Sequence, residues 1–90
     1  MDIVWAQLAL DDRIRIFDYL AEHNPDAALD MDDLFSKKAD QLLEHPKLHK
    51  AGRVKGTREA VVHPSYILVY QEKRDEVIIL RLLHSAQYHG

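Results

Sequence analysis

The chain is 90 residues long, 47% hydrophobic, without cysteine, and carries a formal charge of -3. That length suits one domain over residues 1–90, since separate cores are expected only at roughly 100–200 residues each, and it leaves little room for a deep enclosed active site. The composition excludes disorder, a disulfide framework and a thiolate metal site. No apolar run reaches the ~18 residues of a membrane span, and Met1-Asp2 opens without a signal peptide's basic and apolar regions, so the expectation is a cytoplasmic protein away from membranes.

Ile3-Val4-Trp5 is an apolar run suited to a first strand. A helical pattern follows in which Leu10, Ile14, Phe17 and Ala21 fall on one stripe, with Asp11, Asp12, Asp18 and Glu22 off it. Asn24-Pro25-Asp26 is a helix start: asparagine accepts from free N–H groups, proline suits the first turn, and aspartate favours the positive end of the dipole. The second helix carries Ala28, Met31, Leu34, Phe35, Ala39, Leu42 and Leu43 on its apolar stripe and ends at His45-Pro46. The two helices are expected to form a hairpin.

Residues 46–56 contain Pro46, Gly52 and Gly56, lack apolar periodicity and read as a loop. Here the charge becomes uneven. Residues 1–44 hold 4 basic and 11 acidic side chains, whereas residues 45–90 hold 8 basic and 4 acidic ones and five of the six histidines. Lys47, Lys50, Arg53, Lys55 and Arg58 follow one another with no acid between them. Such a cluster is either a solvated loop or a surface for a polyanion or an acidic protein.

Three strands are predicted next: Thr57–Val62, Tyr66–Gln71 after the turn His63-Pro64-Ser65, and Val77–Leu83 after the polar turn Glu72–Asp75. Short turns make them antiparallel neighbours, and the apolar Val77-Ile78-Ile79-Leu80 marks the last as an interior strand. The polar tail from His84 to Gly90 is expected to line the open face of the sheet. The fold class is α+β, with an N-terminal strand, a helical hairpin and three antiparallel strands in one small sheet packed on the helices.

Five motifs stand in this order: Asn24-Pro25-Asp26-Ala27-Ala28, Glu44-His45-Pro46-Lys47-Leu48, residues 52–59 (GRVKGTRE), residues 63–70 (HPSYILVY) and residues 77–84 (VIILRLLH). Together they cover most of the chain and resemble the RelE/ParE superfamily of toxins from type II toxin–antitoxin modules, nearest its RelE/StbE branch with plasmid-borne YacB-like toxins. The resemblance implies growth arrest in the bacterial cytoplasm, held off by a cognate acidic antitoxin. RelE-like members cleave mRNA in the ribosomal A site and ParE-like members inhibit DNA gyrase on the same fold, so the fold leaves both targets open. A catalytically inactive antitoxin-binding relic is the third alternative.

RNA cleavage by side chains needs a base for the 2′-OH, cations for the charge growing at phosphorus and an acid for the 5′ oxygen. The resemblance places Arg58, Arg81, His84, Tyr88 and His89 as catalytic candidates. Lys47, Lys50, Arg53, Lys55 and Gln87 are the candidates for phosphate contact. The set departs from the family patterns: Ile67 follows Tyr66 where RelE has an arginine, and Val61 and Ser65 stand where other members carry a histidine and an aspartate. Arg81 interrupts an apolar strand and so must face solvent or a carboxylate. His63 reads as a turn residue, and Tyr66, Tyr70 and Trp5 as packing. His45, His49, His84 and His89 are too scattered for a metal site, and no cofactor is expected.

Overall fold

The computed structural model describes residues 1–87. Strand β1 (Asp2–Trp5) leads into helix α1 (Gln7–Ala21) and helix α2 (Pro25–Glu44); β2 (Lys50–Ala51), β3 (Arg58–His63), β4 (Tyr66–Lys73) and β5 (Glu76–His84) follow. One mixed sheet runs in the order β1-β5-β4-β3-β2. The expected hairpin forms, and α2 begins as the sequence indicates, with the Asn24 side chain accepting from Ala27 N at 3.2 Å, Pro25 opening the helix and Asp26 in its first turn. Arg13 joins the helices through Asp32 and Ser36 and lies 4.7 Å over the Trp5 ring.

Phe35, Ala39 and Leu42 of α2 and Ala9 of α1 pack on Ala60, Tyr66, Leu68, Tyr70, Val77, Ile79 and Leu82 of the sheet. Fully burying one such side chain is worth roughly 1.5–3 kcal/mol, so this face supplies most of the drive to fold. The sheet has more pairing than expected. β2 adds a two-residue edge inside the segment read as loop, with Lys50 opposite Glu59 and Ala51 opposite Arg58. β1 pairs in parallel with β5 from Asp2–Glu76 to Trp5–Ile79, which makes β5 interior as its composition requires.

The predicted stripe of α1 holds only in part, with Phe17 and Ala21 half-buried. Leu10 and Ile14 are 37% and 59% exposed, and Leu34 on α2 is 39% exposed; the residues α1 buries are Ala9 and Asp12. The cause lies in β5. β1 stops at Trp5 and Ala6 N donates to Ile79 O at 2.9 Å, after which the chain lifts into α1. The β5 edge beyond Ile79 therefore loses its strand neighbour, and a buried N–H there needs another acceptor. Asp12 provides it, taking Leu82 N at 3.0 Å. A bulge at Leu80, between the pairs Tyr70–Ile79 and Val69–Arg81, turns Arg81 toward the same carboxylate. Small Ala9 and polar Asp12 thus suit the inner face of α1 better than leucine.

Candidate functional site

A cleft of about 460 Å³ lies between α1 and the end of β5, lined by Asp12, Arg15, Ile16 and Tyr19 on one side and Tyr66, Arg81, Leu82, Leu83, His84, Ala86 and Gln87 on the other. Its floor is the ion pair. Arg81 Nε donates to Asp12 Oδ2 at 2.7 Å and Arg81 Nη2 to Oδ1 at 3.0 Å, while Arg15 Nη1 reaches Oδ1 at 3.2 Å. Asp12 is 2% exposed. Burial alone would raise its pKa, but hydrogen bonds from Arg81 and Leu82 N and the charge of Arg81 hold the carboxyl below its ordinary value. One carboxylate faces two guanidinium groups, so the cleft keeps a net positive charge.

At the rim a cross-strand row runs His63, Tyr66, His84, each directly paired with the next. The Tyr66 ring lies edge-on to His84 at 5.4 Å, tilted to His63 at 6.3 Å, and edge-on to Phe35 at 5.7 Å beneath. Both histidines accept a backbone N–H through Nδ1: His63 from Ser65 and His84 from Ala86, each at 3.1 Å. An accepting Nδ1 places the ring proton of the neutral imidazole on Nε2.

The basic segment occupies the opposite edge of the sheet. Gly52 N donates to Thr57 O at 2.7 Å, and a Cβ at Gly52 would collide with Thr57 Oγ1, so the turn admits only glycine. Gly56 has φ +86°, in the left-handed region. Buried Glu59 accepts Arg53 N at 2.9 Å and stands 3.6 Å from Lys50 Nζ. Arg58 donates to the His49 carbonyl at 2.7 Å, and Tyr70 Oη to the Pro46 carbonyl at 2.7 Å. Lys47 and Lys55 make no ion pair among the described residues.

His49 sits beneath this loop, its ring 6.2 Å from Tyr70 and its Nε2 buried without a hydrogen-bond partner among the described residues. Burial, then the charges of Lys38 and Arg58, lowers its pKa from the ordinary 6.5. A depressed histidine binds more protons unfolded than folded, so stability is lost as pH falls below 6.5 toward the folded pKa. Cleavage of the 46–56 segment by a protease should accelerate over that window, and His49→Phe should flatten the acceleration.

Arg81, His84 and Gln87 thus meet in one cleft, while Arg58, Lys47, Lys50, Arg53 and Lys55 stand apart from it; Tyr88 and His89 lie outside the described residues. Gln87 and Ala86 border α1, so the described part of the tail lies on the helix side of the sheet rather than on its open face. Sequence reasoning missed Asp12, Arg15 and Tyr19. Arg81's need for a carboxylate was the available signal for Asp12. No group of three or more His, Cys, Asp or Glu among the described residues is arranged to hold a metal. No helix among them is long and apolar enough to cross a membrane.

The toxin RelE2 of Caulobacter vibrioides is 34% identical over 85 residues, covering 94% of this chain and 96% of its own. The chromosomal ParDE system of P. aeruginosa contains a chain of the same fold, with a TM-score of 0.82 at 20% identity over 93% of this chain and 95% of that one. A heterotetrameric YoeB-YefM toxin–antitoxin complex from Staphylococcus aureus gives 0.62 at 15% identity, over 98% and 95%. Residues 3–88 match the family model described as the ParE toxin of type II toxin-antitoxin systems, parDE. A match across nearly the whole chain, with a relative of similar length that is 34% identical, makes this protein a member of the ParE toxin family of type II toxin–antitoxin systems.

Proposed function

We propose that this toxin arrests growth in the bacterial cytoplasm by cutting mRNA in the ribosomal A site, with the α1–β5 cleft as its reaction centre. The observation that carries the reading is the meeting of Arg81, His84 and Gln87 in one open cleft of net positive charge. In the proposed reaction the 2′-OH loses its proton to a base, its oxygen bonds to phosphorus, and the P–O5′ bond breaks as the 5′ oxygen takes a proton. His84 serves one of the two proton transfers after giving up its Nδ1 contact to Ala86, and the tail residues Tyr88 and His89 are the candidates for the other. Arg15 and Arg81 stabilise the charge on the phosphoryl oxygens. The cognate antitoxin, as YefM does with YoeB, forms a complex with the toxin. Its acidic segment covers the apolar residues left exposed on the hairpin and sets carboxylates against the basic loop.

Brief expression with cleavage mapping tests the target: cuts confined to translated frames support the nuclease, and unaltered mRNA with lost supercoiling supports gyrase inhibition. Gyrase is the second reading because Arg81 already commits Nε and Nη2 to Asp12, which leaves it fewer donors for a phosphate. The loop provides a separate measurement. Lys47→Gln and Lys55→Gln should each weaken binding to mRNA-programmed ribosomes and reduce the logarithmic salt slope by about one. Lys50→Gln should do less, because Glu59 stands 3.6 Å away.

A further inference from the structure

His63 has a place in this architecture that its position before a proline turn does not suggest. Its ring sits on the end of β3 in the row with Tyr66 and His84, half-buried, with Nδ1 fixed by Ser65 N and no partner for Nε2 among the described residues. A turn histidine needs only the Nδ1 contact. A half-buried ring held at Nδ1 by its own turn and flanked by Tyr66, with Nε2 unpartnered among the described residues, is a preorganised donor whose position is set before any ligand arrives. His84 stands on the other side of Tyr66 at the cleft rim, so a strand entering the cleft past His84 continues along the row toward His63.

We propose that His63 is a phosphate-binding residue, its Nε2–H donating to a non-bridging oxygen of the RNA backbone one or two nucleotides from the reacting phosphodiester. This rests on the nuclease reading. As a hydrogen bond and not an ion pair, this contact is distinguished from those of the loop lysines: it contributes affinity without releasing counterions. Donation to an anionic oxygen is the stronger class of hydrogen bond, and its loss typically weakens binding by about ten- to a hundredfold.

The test uses the whole toxin and 70S ribosomes programmed with an mRNA carrying 2′-O-methyl groups in the A-site codon, which bind without being cut. His63→Phe keeps the ring against Tyr66 and removes the donor, whereas His63→Gln keeps an N–H donor at similar reach and cannot titrate. His63→Phe should weaken binding at least tenfold with an unchanged salt slope and unchanged antitoxin binding, and His63→Gln should restore most of the affinity. Wild-type affinity in His63→Phe overturns the proposal, as does a loss in His63→Gln equal to that in His63→Phe. A reduced salt slope in His63→Phe would show a charged contact and overturn it equally. If wild-type toxin neither binds these ribosomes nor cuts unmodified mRNA on them, the nuclease reading itself falls, a result distinct from failure of the His63 variants alone.

Discussion

Asp12→Ala is expected to be the most destabilising single substitution in the cleft. It strips Arg81 of both its hydrogen bonds and leaves Leu82 N–H without an acceptor beside the core. Removing one partner of a buried pair typically costs about 3–5 kcal/mol, and because the Arg81 side chain is 40% exposed the lower end applies. At roughly 4–8 °C per kcal/mol for a domain of this size, thermal unfolding should show Tm lower by about 12 °C or more. Asp12→Asn keeps an acceptor for Leu82 N and should lose less. Asp12→Leu combined with Arg81→Met should recover only part of the loss, because the apolar pair carries no desolvation cost but leaves Leu82 N–H without an acceptor. The same group makes stability depend on acid. Its folded pKa lies below the unfolded 3.8, so its contribution is complete above that value and disappears as pH falls through the folded one.

His84→Ala should separate activity from folding. The ring is exposed, and its contacts are an edge-on approach to Tyr66 and one backbone N–H, so Tm and antitoxin binding should stay close to wild type. Loss of a general acid or base typically removes a factor of about 10²–10⁴ in rate, and cleavage of A-site mRNA should fall by that amount with growth arrest relieved. Arg81→Ala is expected to lose cleavage and stability together, since Asp12 then stays buried without its main cation. Full cleavage by both variants would remove the reaction from this cleft. Full toxicity without cleavage would direct attention to gyrase.

Where a residue's environment is set by its neighbours in sequence, the fold was legible. Asn24-Pro25-Asp26 specified the start of α2, His45-Pro46 its end, and the apolar run from Val77 an interior strand, because capping, proline sterics and strand burial act over a few residues. The inner face of α1 was not legible. Helical periodicity favours Leu10 and Ile14, but the sheet edge beyond Ile79 demanded a carboxylate, and that demand originates 70 residues away. The parallel pairing of β1 with β5 and the two-residue β2 are similarly non-local. For the candidate site, the resemblance named Arg81, His84 and Gln87, which line one cleft in the structure. It placed Arg58 in the same catalytic group, where the structure instead uses its guanidinium to hold the His49 carbonyl. Charge alone could not separate those two arginines, because the difference lies in which carbonyls and carboxylates the fold brings near them.

The pairing of β1 with β5 also sets a timetable for synthesis. β3, β4 and β5 form a meander that closes through local turns, whereas β1 and α1 have no edge to dock on until β5 exists, and Asp12 waits for a partner 69 residues downstream. Contacts of such separation form late, after the loop between them has closed. On a translating ribosome β5 emerges only after the strands and helices before it, so the nascent protein carries an unassembled α1–β5 cleft while those elements are made.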